Sequence, residues 1–284
     1  MNEQRPGAVI ATIRSLLPSL LPTEQAVAAV LLERSSEIVE LSSQQVADLS
    51  GASRATVVRT CQSLGFTGYQ QLRVLLARDA AALPPTSAPA PTDAAGIVSH
   101  TFTQLSGRVP DMLALLDADA VERAVTLLAK ARRVVVAGNG LSAPLAMDAA
   151  ARLTSIGRPA DVQLDVIGQQ ITARLLQPGD LLLAISGSGS NAATLGTVAA
   201  AKAAGAEVIA VTAFGRSPIA QSAPPALVVT MPDLTFRDEI TLASRLPQAI
   251  LIEGLVAATT DRLGETATRA KSLALDAIGA NLAE

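Results

Sequence analysis

A small all-α domain followed by an α/β domain, whose parallel sheet is flanked by helices on both faces, is the fold class that three features of this chain predict. The first 80 residues space their apolar side chains as helices do and show no strand alternation. Composition then breaks at Ala81–Thr92, where four prolines in twelve residues exclude a helix or a central strand. Beyond the break, short apolar, β-branched runs alternate with helical segments. That order belongs to a parallel sheet with strands buried on both faces. The expected organisation is a domain at residues 1–80, a Pro/Ala-rich linker at 81–95 and a second domain at 96–284.

In the first domain, Val9, Ile13, Leu16 and Leu17 mark a helix over Ala8–Leu17. Thr23, followed by Glu24, marks the capped start of another that runs through Leu32. Ser42 or Ser43 caps a short helix that ends before Gly51, a residue suited to the left-handed position after a helix. Ser53 caps the next helix, with Ala52 and Val57 at its staple positions. Gly65 ends that helix, and Phe66 folds back onto it. Helix, tight turn, helix over Ser42–Phe66 is the layout of a helix-turn-helix.

Its second helix has an apolar side of Val57, Val58, Cys61 and Leu64 and an opposite side of Ala55, Thr56, Arg59 and Ser63. Thr56 and Arg59 are the candidates for base edges, and Arg54, in the first turn, for a backbone phosphate. Ser53 and Ala55 complete the candidate DNA-contacting set. Between Ser42 and Arg78, four arginines stand against one aspartate, a modest local excess of positive charge. The competing reading is a helical dimerisation domain that contains a chance turn.

In the second domain, a helix over Ile97–Leu116 precedes one that begins near Asp117. Strands are expected at Arg133–Ala137, Ala160–Gln163, Leu181–Ile185, Glu207–Thr212 and Ala226–Val229. Helices are expected at Ala143–Ser155, Ile167–Leu175, Ala192–Ala204 and Glu239–Leu263. Two loops join strand to helix with glycine and serine: Gly138-Asn139-Gly140-Leu141-Ser142 and Ser186-Gly187-Ser188-Gly189-Ser190-Asn191. Glycines let the backbone approach an anion, exposed N–H groups and the next helix N-terminus hold its charge, and serine hydroxyls add donors. Two such loops at the carboxyl ends of parallel strands form a phosphate site at the mouth of an open sheet. The first loop also fits the Gly-x-Gly-x-x-Ala dinucleotide fingerprint, with Asp161 as its ribose-binding acid. Tight turns alone account for Gly138 and Gly140, but not for the clustering of Ser186, Ser188 and Ser190.

Bulk properties narrow the function classes. The chain has 284 residues, 49% of them apolar, and that excess is mostly alanine. No apolar run is long enough to span a bilayer, and the first six residues do not form a secretory signal. A single cysteine, Cys61, excludes an internal disulfide and a cysteine-clustered zinc site. A cytoplasmic protein is expected. The net charge of −3 gives no global nucleic-acid signature, and 19 of the 22 basic residues are arginine. The one histidine, His100, lies outside the α/β core, so no acid–base pair for catalysis is evident.

Ala55-Thr56-Val57-Val58-Arg59 and Leu64-Gly65-Phe66-Thr67-Gly68-Tyr69, within Val46–Leu72, resemble the helix-turn-helix of the RpiR/MurR transcriptional regulators. The second domain is similar to the flavodoxin-like sugar-isomerase (SIS) domain that those regulators carry. The resemblance implies that Ser186 and Ser188 are phosphate ligands. It extends the candidate phosphosugar site to Asn139, Gly140, Ser142, Gly187, Gly189 and Asn191. Asn191 stands where the family has threonine, and Gly187 where histidine is common. Glu239, after the last predicted strand, is the carboxylate placed to touch a sugar hydroxyl. The implied function is regulation of sugar or amino-sugar metabolism, with a double-stranded DNA operator and a phosphorylated sugar as partners. No catalytic residue, cofactor, metal or membrane is implied. A homodimer or homotetramer is expected, with contacts through the helices Ile97–Leu116 and Glu239–Leu263. The alternatives are a SIS-type phosphosugar isomerase or lyase, and a dinucleotide-binding sensor.

Overall fold

A computed structural model describes residues 7–35, 37–38, 41–82, 91–231 and 244–282. They divide into two compact units, one built on the chain up to Leu115 and the other on Leu116–Val229 with the C-terminal helices. Part of the expected linker, residues 83–90, lies outside the described residues.

The first unit contains α1 (Ala8–Leu16), α2 (Pro22–Glu33), α3 (Ser43–Ser50), α4 (Arg54–Ser63), α5 (Tyr69–Ala82) and α6 (Ala94–Arg108). Val9, Ile13, Val27, Leu31, Val46, Val57 and Leu72 meet in its core. Helix α2 starts earlier than Thr23. Pro22 takes the first helical position, where its missing N–H costs nothing, and Glu24 Oε2 accepts the Leu21 N–H at 3.1 Å. The expected helix over Ile97–Leu116 ends as α6 at Arg108, and a 3-10 turn over Val109–Leu113 follows, because Pro110 cannot donate to the next turn.

Helix α1 opens on Gly7, which has no side chain to cap it. Asp79, on α5 and fully buried, does this instead: its Oδ2 accepts the Val9 N–H at 2.6 Å and the Ile10 N–H at 3.4 Å. A carboxylate at a helix N-terminus satisfies orphan donors and meets the positive end of the dipole. Asp79→Ala is expected to destabilise the first unit by about 1–3 kcal/mol. A urea titration followed by helical circular dichroism checks this, and an unmoved midpoint would refute the capping role.

The second unit is a five-stranded parallel sheet in the order β2-β1-β3-β4-β5. The strands are β1 (Val134–Gly138), β2 (Ala160–Val162), β3 (Leu181–Ile185), β4 (Glu207–Thr212) and β5 (Ala226–Val228). The helices are α7 (Ala118–Lys130), α8 (Ala143–Ser155), α9 (Val166–Arg174), α10 (Ala192–Ala203), α11 (Pro218–Ser222), α12 (Leu246–Leu263) and α13 (Glu265–Gly279). Alternation along the strands divides their side chains between two cores. Val134, Val136, Leu181 and Leu183 pack with α7, α8 and α12, while Val135, Ala137, Leu182 and Ala184 pack with α9, α10 and α11. Both faces being covered is why β1 and β3 read as continuous apolar runs.

Of the helix expected over Glu239–Leu263, residues 239–243 lie outside the described residues, and α12 begins at Leu246. Three helices, α5 in the first unit and α11 and α13 in the second, are additions to the elements read from sequence. Among the described residues, no helix is long and apolar enough to cross a membrane.

Candidate functional site

From β1 the chain moves to β2 on one side, then returns through α9 to β3 on the other. The loops that follow β1 and β3 are therefore neighbours at the carboxyl edge, where strand order reverses and ligands bind in open α/β sheets. Pairing of β1 with β3 runs up to Gly138 opposite Ile185, so Asn139 and Ser186 are the next residues on adjacent strands.

In the first loop, Gly138 has no room for a side chain, since a Cβ there would lie 2.6 Å from the Ser142 carbonyl oxygen. Gly140 has a φ of +56°, a conformation that favours glycine. Asn139 and Gln169 exchange two hydrogen bonds: Asn139 Nδ2 donates to Gln169 Oε1 at 3.0 Å, and Gln169 Nε2 to Asn139 Oδ1 at 3.2 Å. Asn139 Nδ2 also donates to Thr194 Oγ1 at 2.9 Å. Gln169 Nε2 further reaches the Gln163 carbonyl at 3.0 Å. This buried glutamine on α9 was not among the residues read from sequence. Its only signal was a polar residue on the inner side of an apolar helix, one turn before Ala173.

In the second loop, Thr212 and Ser217 act as supports. The Thr212 hydroxyl donates to the Gly187 carbonyl at 3.1 Å, which also accepts the Ala213 N–H at 2.9 Å. Gly189 has a φ of +64°, and a Cβ there would run into Ser217 Oγ and lie 2.7 Å from Thr212 Oγ1. Gly189→Ala is expected to destabilise the second unit by about 1–3 kcal/mol through backbone strain and this clash. Thermal unfolding of the variant tests this, and a wild-type melting temperature would rule it out. Asn191 caps α10, its Oδ1 accepting the Thr194 N–H at 3.1 Å.

The structure thus brings together Asn139, Gly140, Ser142, Ser186, Gly187, Ser188, Gly189 and Asn191 in two adjoining loops. The hydroxyls of Ser142 and Ser186 are on buried residues and make no hydrogen bond among the described residues. Ser188 Oγ accepts the Ser190 N–H at 3.3 Å. The N–H groups of Gly140, Leu141, Gly187 and Ser188 likewise have no partner among the described residues. Neither loop contains a charged residue. The arrangement offers an anion neutral donors, together with the N-terminus of α10. Glu239 lies outside the described residues. Among the described residues, no group of three His, Cys, Asp or Glu side chains is placed to hold a metal. Asp161 pairs with Arg133 at 2.9 Å and lies opposite Val135, three residues short of the carboxyl end of β1 at Gly138. A ribose-binding acid belongs at a strand's carboxyl end, so this position weakens the dinucleotide reading.

In the first unit, α3 and α4 form the expected helix-turn-helix. Ser42 and Gln45 make a capping box, with Ser42 Oγ accepting the Gln45 N–H at 3.2 Å and Gln45 Oε1 accepting the Ser42 N–H at 2.8 Å. Gly51 supplies the left-handed turn at a φ of +64°. Ser53 caps α4 through the Thr56 N–H at 3.1 Å. At the far end, the Phe66 N–H reaches back to the Cys61 carbonyl at 2.9 Å. Arg54, Ala55 and Arg59 are exposed, and Thr56 is half-buried.

The apolar side of α4 is turned from the expected one. Thr60 is buried with Val57, Cys61 and Leu64, whereas Val58 is 36% exposed. Thr60 tolerates the core because its hydroxyl is satisfied by the Thr56 carbonyl at 2.9 Å. Ser63 faces inward too, donating to Glu24 Oε1 of α2 at 2.9 Å. The outward face therefore gains Val58 and Gln62 beside Arg54, Ala55 and Arg59. Burial pushes the Cys61 thiol up to about 12, so it packs as an inert hydrophobe.

Comparison with known proteins agrees with both halves. Residues 7–82 match the model of the rpiR-family helix-turn-helix domain, and residues 127–246 match that of the SIS domain. The chain is 29% identical to the transcriptional regulator HexR of Pseudomonas aeruginosa, over 90% of each chain. It is 30% identical to a helix-turn-helix transcriptional regulator of Haemophilus influenzae, covering 78% of this chain and 80% of that one. Among solved structures, Vibrio vulnificus NanR in complex with ManNAc-6P superposes with a TM-score of 0.62 at 22% identity, covering 97% of this chain and all of NanR.

Proposed function

The chain belongs to the rpiR family of helix-turn-helix regulators with a SIS domain, and from that premise we propose that it regulates transcription of sugar or amino-sugar metabolism by sensing a phosphorylated sugar. The observation that supports the sensor reading best is the pair of adjoining loops at the switch point, free of charge and lined by N–H groups and by the Ser142 and Ser186 hydroxyls, which have no partner among the described residues. Ser142, Ser186 and Ser188 meet the phosphate, with the N–H groups of Gly140, Gly187 and Ser188. Asn139, Gly189 and Asn191 hold the loops in place, and Glu239 takes a sugar hydroxyl. A phosphosugar as the ligand class is supported by the ManNAc-6P bound to NanR.

Residues 1–80 are the DNA reader, 81–95 the tether and 96–284 the sensor with its flanking helices, all in the cytoplasm. Arg59 and Thr56 reach base edges, Arg54 meets a phosphate, and Ser53 and Ala55 fix the approach of the helix N-terminus. A symmetric oligomer reads a near-palindrome, since protein two-fold symmetry is mirrored in the site. We assign binding rather than turnover because HexR and the Haemophilus influenzae relative are transcriptional regulators. The ligand changes DNA affinity only to the extent that it binds two arrangements of the chain unequally.

The test is fluorescence anisotropy of the full chain with DNA from upstream of its own gene against a scrambled duplex, followed by a phosphosugar panel in the same cuvette. Preference for the native DNA, changed by one phosphosugar, is expected. Absence of any preference, together with turnover of a phosphosugar, would install the isomerase or lyase reading instead.

A further inference from the structure

We infer that Gln248, in the first turn of α12, reads the sugar part of the ligand, its amide oxygen accepting a hydrogen bond from a sugar hydroxyl. The inference rests on the phosphosugar reading of the two loops, and brings a third segment of the chain to that site. Gln248 is the third residue of α12. A glutamine or glutamate there ordinarily turns back to accept the N–H of the residue before the helix. This chain does so twice, through Glu24 on α2 at 3.1 Å and Gln45 on α3 at 2.8 Å. Gln248 does not. Its side chain turns inward, the residue is 1% exposed, and its Oε1 is buried with no donor among the described residues. An acceptor that gives up both water and a cap costs stability, so it calls for a partner that the folded chain does not supply. Thr259 Oγ1, also on α12, is buried without a partner too. A threonine, however, needs only a rotamer change to bond the carbonyl four residues back, as Thr60 and Thr260 do.

The course of α12 directs this amide at the loops. Helices α8 and α12 share one core on the same face of the sheet. Arg152 of α8 pairs with Glu253 of α12 at 2.9 Å. Gly157, two residues past the end of α8, lies against Thr266, three residues past the end of α12. The two helices therefore run the same way and end together. Counted back at 1.5 Å per residue, Gln248 comes within about one turn of the level of Ala143, where α8 leaves the first loop. Leu251, Ile252 and Leu255 fill the core behind it on the same face of α12. Helical side chains lean toward the helix N-terminus, so the amide of Gln248 points to the carboxyl edge of the sheet, where Ser142 and the second loop lie. An amide oxygen is neutral and only accepts. It suits a hydroxyl, and not the oxygens of a phosphate, which the loops hold with N–H groups and serines.

Gln248→Met keeps the length of the side chain and removes the amide. The full chain and this variant are to be titrated calorimetrically with inorganic phosphate and with a panel of hexose 6-phosphates and N-acetylhexosamine 6-phosphates, beside thermal unfolding without ligand. The variant is expected to melt at or above the wild-type temperature, because it loses no bond and no longer buries an unpaired acceptor. Its affinity for inorganic phosphate should be unchanged, and its affinity for the panel member that the wild type binds best should fall about 10-fold. Analogues of that sugar phosphate lacking one hydroxyl each give a second arm. One of them should bind the wild type about 10-fold more weakly than its parent does, and bind Gln248→Met as the parent does. Unchanged affinity of the variant for the parent would overturn the role of Gln248 and leave the loops as the phosphate site. A lowered melting temperature, with phosphate and phosphosugar weakened alike, would make the amide a structural group and overturn the role as well. A wild type that binds no member of the panel would overturn the phosphosugar reading together with this inference.

Discussion

Replacing both Ser186 and Ser188 with alanine is expected to weaken phosphosugar binding by roughly 100- to 10,000-fold, since a hydrogen bond to a charged group contributes about 1.5–3 kcal/mol. The measurement is isothermal titration with the phosphosugar that changes DNA affinity. Unchanged affinity would remove the second loop from the site. Folding should survive the substitution. The Ser186 hydroxyl makes no hydrogen bond among the described residues, and the Ser188 hydroxyl only accepts the Ser190 N–H at 3.3 Å. The supports of the loop, Thr212, Ser217 and the glycine backbone at 189, are untouched. A binding defect without a stability defect distinguishes a ligand-contacting hydroxyl from a structural one.

Arg59→Ala is expected to lower operator affinity about 10- to 100-fold, the discrimination typical of an arginine on a base edge. Affinity for scrambled DNA should fall much less, and phosphosugar affinity not at all. Arg54→Ala should weaken both duplexes alike and flatten the salt dependence by about one ion, as loss of a phosphate contact does. Anisotropy titrations over a range of salt separate the two. Equal operator affinity in Arg59→Ala would show that the outward face of α4 does not enter the groove.

Strands and caps were the most legible features of the sequence. Strands β1 and β3 lie within one residue of their expected bounds because a strand buried on both faces can only be an unbroken apolar run. The turn between α3 and α4 was readable because Ser42, Gly51 and Ser53 each satisfy a local backbone need. What escaped depended on distant partners. Helical spacing assigned Val58 to the core of α4, but a local hydrogen bond let Thr60 take that place. The amide of Gln169 matters through Asn139, thirty residues away, and no periodicity reports that. Asp79 carried no local signal, because the N–H groups that it caps, those of Val9 and Ile10, lie about seventy residues away in the chain. The glycines and serines of the two loops were legible as a group, but not their separate duties. Gly189 proves to be packed against Ser217, and Asn191 turned toward α10 as a cap.

The neutrality of the two loops has a consequence for titration behaviour. No side chain in either loop gains or loses a proton between pH 5 and 8, so these loops have no protonation state of their own to change. The acid limb of effector binding then belongs to the ligand. A phosphate monoester passes from dianion to monoanion near pH 6, and affinity should decline as the pH falls through that value. Ligands of fixed charge, such as a sulfate ester of the same sugar, should bind with no such decline. A regulator built this way reports the ionisation of its metabolite rather than its own.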